Sequence, residues 1–168
     1  LELWDTPGFG DSVRLARRLE RAANPIGWLL NEVWDRYRDR ALWSSQRAVR
    51  NVLEEADTVL YLVNASEAPQ DAAYVHAELR VLDLLAKPTL VLLNQTGPPR
   101  SAAAEAAELQ RWHAHCAGHA CVRAVLALDA FARCWVQEGE LLQAVGAALP
   151  APRHEAFERL RAAWRARE

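Results

Sequence analysis

Two runs of this chain are apolar almost without interruption: residues 58–64, Thr-Val-Leu-Tyr-Leu-Val-Asn, and residues 89–94, Thr-Leu-Val-Leu-Leu-Asn. Runs this short and this apolar suit strands buried on both faces of a parallel sheet. A further strand is expected over 122–128, broken only by Arg123. Between the strands the rhythm changes. Val75, Leu79, Leu82 and Leu85 recur at helical spacing within 72–86, and Leu109, Trp112 and Cys116 do so after Ser101. Pro88 stops the first of these helices. Ser101 caps the second, with Glu105 and Glu108 early in it, and Gly118 ends it. Leu141, Leu142, Val145 and Leu149 mark another helix, which Pro150 and Pro152 close. A last helix is expected from His154, with Phe157, Leu160 and Trp164 on one stripe and arginines around it. Strand–helix alternation three times over predicts an α/β fold with a parallel sheet and right-handed crossovers.

The front of the chain has a different pattern. Leu1-Glu2-Leu3-Trp4 reads as the end of a buried strand that closes on Asp5, and Thr6-Pro7-Gly8 turns out of it. An aspartate at the carboxyl end of a parallel strand sits where open α/β sheets bind ligands. There it can hold a magnesium ion, usually through water. Gly8 has no Cβ, so its N–H can approach a terminal phosphate. The plain alternative is a strand ending in an Asp-x-Pro-Gly turn. Beyond it, Leu15, Leu19 and Ala22 form a short helical stripe, broken near Asn24-Pro25-Ile26-Gly27. A second helix is expected from about Trp28, with Trp28, Leu29, Val33, Trp34 and Tyr37 apolar. A third covers 42–56, with Leu42, Val49, Val52, Leu53 and Ala56 largely on one side.

Composition narrows the class. A chain of 168 residues suits one domain with a full core. The formal net charge of −2 makes no case for nucleic-acid or membrane binding by the domain as a whole. Arginine replaces lysine almost everywhere, and Lys87 is the only lysine. The chain has no Met and begins inside a predicted strand, so the reading expects a fragment. No stretch reads as a membrane span or signal peptide. Cys116, Cys121 and Cys134 show no disulfide spacing, which fits a reducing, cytoplasmic setting. His113, His115, Cys116, His119 and Cys121 are all possible zinc ligands. Their spacing fits no zinc module, and adjacent His115 and Cys116 would splay apart on a helix; scattered histidines at a helix end is the plainer reading. No Ser-His-Asp or Cys-His arrangement is ordered along the chain.

Trp4-Asp5-Thr6-Pro7-Gly8-Phe9 resembles the Asp-x-Pro-Gly motif of bacterial GTPases of the TrmE/Era/EngA type, and Val91-Leu92-Leu93-Asn94-Gln95-Thr96-Gly97 resembles a degenerate form of their guanine-recognition motif. The long segment after Gly8 and the Arg-rich helix after Pro152 look like the subgroup with an uncharacterised C-terminal helical domain. The resemblance implies a P-loop NTPase G domain of three layers, N-terminally truncated, over residues 1–150. Residues 151–168 would then start a helical extension. It implies binding and hydrolysis of GTP with Mg2+ as a molecular switch; the alternative is a non-hydrolysing pseudo-GTPase that holds a partner. Ribosome, RNA and protein are the partner classes it suggests. Asp5, Thr6, Pro7, Gly8, Asn94, Gln95 and Gly97 would contact the nucleotide, with Asp5 also on the metal. The Gly-rich phosphate loop ending in Gly-Lys-Ser/Thr would lie before Leu1, so residues 1–168 alone are expected to be inactive. The first strand of such a domain lies between the Asp5 strand and the 58–64 strand. Its absence leaves a gap of roughly 10 Å, to be closed by another pairing or left with the front strand loose.

Several positions depart from that family pattern. Phe9 stands where Ras-like proteins place a water-orienting glutamine. Arg14, Arg17 and Arg18 could serve the water instead, or be ordinary exposed helix residues. Gln95 replaces the lysine that stacks on the base, and Gly97 the aspartate that reads guanine, so selectivity for guanine should be weakened. Asp129-Ala130-Phe131-Ala132 does not match the Ser-Ala-Lys pattern of the third base-contacting loop.

Overall fold

The apolar runs become three strands: β1 Val59–Asn64, β2 Thr89–Asn94 and β3 Val122–Ala127. They form a parallel sheet in the order β1-β2-β3. The computed structural model describes residues 2–6, 9, 11–27, 40–129 and 135–167. Its helices are α1 Ser12–Arg21, α2 Arg40–Glu55, α3 Ala73–Leu84, α4 Ala102–Cys116, α5 Trp135–Ala148 and α6 Ala151–Arg165. The α/β class and the parallel sheet expected from the sequence are therefore present.

Strand side chains alternate between two apolar clusters. Tyr61, Val63, Val91, Leu93 and Val125 face one, which α1 to α4 complete with Leu15, Leu19, Val49, Val75, Leu79, Leu82 and Trp112. Leu90 and Leu92 face the other, where Val145 and Ala148 of α5 and Phe157 of α6 are buried, with Leu160 packed against them. Helices cover both faces, and β2, in the middle, is buried along most of its length. α6 is thus fastened to the sheet through Phe157, only 5% exposed, while arginines of the same helix pair with glutamates one turn away, as Arg159–Glu155 and Arg161–Glu158 do.

Three expectations are corrected. The front stretch is not a buried strand: residues 2–6 make no ladder, and Leu3 and Trp4 are 82% and 65% exposed. A strand is held by its neighbours, and two apolar side chains between Glu2 and Asp5 bury too little to dock without one. β1 is not buried on both faces, since Leu62 is 62% exposed. Among the described residues it is an edge strand, and the cluster beneath α5 and α6 takes in Leu60 but leaves Leu62 outside. The last helix starts before His154: α5 ends at Ala148, ahead of Pro150, and α6 begins at Ala151, with Pro150 as its N-cap residue and Pro152 in its first turn. A proline costs nothing there because the first-turn N–H groups have no intrahelical partner.

The breaks in the front half have similar causes. Asp11 caps α1, its carboxylate accepting from Arg14 N–H at 3.1 Å. Asn24-Pro25-Ile26-Gly27 is the start of a helical turn rather than a gap, with Asn24 Oδ1 accepting from Gly27 N–H at 2.9 Å and residues 25–27 helical. The helix expected from about Trp28, together with Pro7, Gly8 and Cys134, lies outside the described residues.

Candidate functional site

β1 and β2 run in register, so Asn64 and Asn94 end side by side at the carboxyl edge of the sheet. Each strand then turns sharply. Asn64 Oδ1 accepts from Ser66 N–H at 3.0 Å and Ser66 Oγ–H at 2.7 Å, which folds the chain back over the strand end. Ala65 N–H donates to the Asn94 carbonyl at 2.8 Å and ties this turn to the next loop. That loop takes two left-handed residues in quick succession, Gln95 at φ 59° and Gly97 at φ 81°. Glycine adopts this region freely, whereas for Gln95 it costs roughly 1 kcal/mol or more.

Asp129 holds the strained loop. It follows β3, is 8% exposed, and its Oδ2 accepts from Thr96 N–H at 2.9 Å and Thr96 Oγ1–H at 3.1 Å. Between the two loops opens a cleft of about 310 Å³ lined by Ala65 to Ala68, Gln95 to Gly97, Arg100, Glu108 and Arg111. This is the lower end of small-molecule sites, about 300–1,000 Å³, and it lies at the carboxyl ends of parallel strands, where such sheets bind ligands. Its far wall is the start of α4. Ser101 Oγ accepts from Ala104 N–H, Glu105 accepts from Arg100 N–H at 2.9 Å, and Glu108 accepts from both Arg100 and Arg111.

The predicted site residues therefore divide. Gln95 and Gly97 line the cleft, and Asn94 supplies the carbonyl that joins its two loops. Asp5 and Thr6 are not among its walls; Asp5 is exposed and stands at no strand end. A magnesium ion at Asp5 would have one carboxylate, with its other ligands drawn from water and phosphate oxygens. Among the described residues no group of three His, Cys, Asp or Glu could hold a metal. Phe9 is a core residue, 7% exposed, packed with the α1 to α4 cluster.

Sequence reasoning missed Asp129, Arg100, Glu108 and Arg111 as parts of the site. Asp129 carried a usable signal, since it follows an apolar run as Asp5 was taken to do. Glu108 and Arg111 carried none, because an i,i+3 charge pair reads as ordinary helix surface.

The histidines gather elsewhere. His119 Nδ1–H donates to Asp83 Oδ2 at 2.7 Å, and His119 Nε2 meets His76 Nδ1 at 2.9 Å. Asp83 Oδ1 also accepts from Cys121 N–H at 2.7 Å. Burial raises the Asp83 carboxyl, but these hydrogen bonds more than offset it and hold the group below its ordinary value. His115 packs on His76 with ring centroids 4.1 Å apart, and burial, with His76 and His119 nearby, lowers it. Burial pushes the Cys116 thiol up to about 11 and the Cys121 thiol to about 12, so neither is a ready thiolate. The group joins α3, the end of α4 and the turn before β3, at the opposite end of the strands from the cleft. A hollow of about 340 Å³ also lies at that end, and its Lys87 is engaged by the Ala56 carbonyl at 2.8 Å.

Compared with known proteins, the chain matches no family model, no curated protein and no solved structure. Among the described residues no helix is long and apolar enough to cross a membrane.

Proposed function

We propose that this chain is the base-binding part of a P-loop-type GTP-binding switch similar to the TrmE/Era/EngA GTPases, which binds and hydrolyses GTP with Mg2+. The observation that carries the reading is the cleft itself: a hollow at the carboxyl ends of parallel strands, walled by the Asn94–Gly97 loop that resembles a guanine-recognition motif. Asp5 is assigned to the metal and Gly8 to the terminal phosphate by the resemblance alone. On this reading the region from Phe9 to Arg40 responds to the contact with the triphosphate, as the switch segments of such proteins do.

A second reading, the pseudo-GTPase that holds a partner, is favoured by one observation. Gln95 and Gly97 offer neither the cation nor the carboxylate of a working guanine loop. The two separate in one experiment. Labelled GTP and GDP are titrated, with magnesium, onto the full-length protein and onto residues 1–168, and phosphate release is followed. Binding and turnover by the full-length protein, with none by residues 1–168, supports the switch. Binding without turnover supports the pseudo-GTPase. Absence of nucleotide binding by the full-length protein overturns both.

A further inference from the structure

One carboxylate in the cleft is only half used. Glu108 projects from α4 with its side chain 14% exposed. Arg100 Nη1 at 3.1 Å and Arg111 Nη2 at 2.7 Å both donate to the same oxygen, Oε2. Oε1 has no hydrogen-bond partner among the described residues. Two guanidinium groups thus fix the carboxylate in place and leave one acceptor available at the wall of a hollow large enough for a planar base. The arginines themselves are 41% and 58% exposed, so Glu108 is not needed to neutralise a buried cation.

The other carboxylates nearby are less suited. Asp129 is spent on Thr96. Glu67 is exposed, and no hydrogen bond fixes its carboxylate among the described residues. Gly97 has no side chain. A purine is told apart at this kind of acceptor by its N1 position: guanine and hypoxanthine carry an N–H there, and adenine carries a lone pair. A fixed carboxylate oxygen accepts from the first two and repels the third.

We propose that Glu108, held by Arg100 and Arg111, is the residue that reads the base in this cleft, accepting the N1–H of a 6-oxopurine through Oε1. The proposal rests on the nucleotide reading above and names its specificity residue. Because only one oxygen is open, it also sets the pattern of preference. The 2-amino group of guanine adds little, so GTP and ITP should bind alike and ATP should bind worse. The planar guanidinium groups supply the cationic surface beside the base that Gln95 does not.

The test is competition of GTP, ITP and ATP against one labelled GDP, with magnesium, on the full-length protein and on its Glu108→Ala and Glu108→Gln variants. GTP and ITP are expected within about threefold of one another, and ATP weaker by about tenfold or more, the discrimination of one charged hydrogen bond. Glu108→Ala should bring ATP within about threefold of GTP, and Glu108→Gln, which keeps an uncharged acceptor, should fall between. A role confined to fastening the start of α4 would weaken all three nucleotides equally and leave their ratios unchanged, and that result overturns the proposal. So does equal binding of ATP and GTP by the unmutated protein. Either outcome leaves nucleotide binding standing, whereas no displaceable labelled GDP on the unmutated protein removes both.

Discussion

Replacing Asp129 by Ala takes away the brace of the cleft. Its Oδ2 receives both the backbone N–H and the hydroxyl of Thr96, at 2.9 and 3.1 Å, inside a side chain 8% exposed. Hydrogen bonds to a charged group contribute about 1.5–3 kcal/mol each. Both of these fall on one oxygen, and Thr96 is only half-buried, so water recovers part of the loss. A net destabilisation of about 2–3 kcal/mol follows. With a urea slope near 2 kcal/mol/M, the unfolding midpoint should drop by about 1 M or more. Asp129→Asn keeps an acceptor and loses the charge, so it should cost about half as much. The loop gives an independent signal. With Gln95 and Gly97 both left-handed, the turn between them is held from outside, and the Thr96 amide should lose its hydrogen-exchange protection in Asp129→Ala while β2 amides keep theirs. A midpoint shift equivalent to less than about 0.5 kcal/mol, with the Thr96 amide still protected, would refute the argument that Asp129 holds this loop.

Three further outcomes follow from other parts of the molecule. Ala86 ends α3 in the left-handed region at φ 53°, with Ala86 N–H on Asp83 O and Lys87 N–H on Leu82 O; Ala86→Gly should stabilise by about 0.5–1 kcal/mol in urea unfolding, and a loss would contradict the strain. Stability should decline below pH 6.5, because His115 is held below that ordinary value and is favoured neutral in the fold, so acidification from 6.5 towards its folded value favours the unfolded chain. Asp83 keeps its contribution above 3.8 and loses it as pH falls through its lower folded value, while Glu78, raised by burial, gains stability on acidification through its raised value towards 4.5. Urea midpoints at about pH 7.5 and about pH 5.5 should therefore differ less in His115→Gln than in the parent, and an identical difference would remove His115 from the account. On the proposed switch reading, Asp5→Asn in the full-length protein should slow magnesium-dependent GTP hydrolysis by at least about tenfold, about 1.4 kcal/mol of barrier; normal turnover would leave Asp5 a surface turn residue.

The reach of the sequence is clearest in the strands and their helices. Continuous apolar runs at 58–64 and 89–94 suit a parallel sheet, and helical spacing between them suits parallel crossovers, so the class and most of the core were legible from the pattern along the chain. Ser101 and Pro88 set helix ends by local chemistry alone, and these too could be read directly. The exposure of Leu3, Trp4 and Leu62 could not. Whether an apolar side chain is buried depends on what lies beside it, and nothing within residues 2–5 or 58–64 states what that is. The start of the last helix was misplaced because proline blocks a helix interior but suits a helix start, and Pro152 takes the second role here.

The site divides in the same way. That both apolar runs end on an asparagine could be read along the chain; that the two strands pair in register and bring Asn64 and Asn94 together was decided by the fold. What fills the space beyond them was decided only in three dimensions. Asp129 reaches Thr96 across 33 residues, and Glu108 lines the cleft only because the start of α4 is packed beside the two loops. Local patterns fix the elements because backbone hydrogen bonding and burial act within a few residues. A carboxylate's partners come from wherever the chain returns, and so the chemistry of this cleft belongs to the tertiary structure.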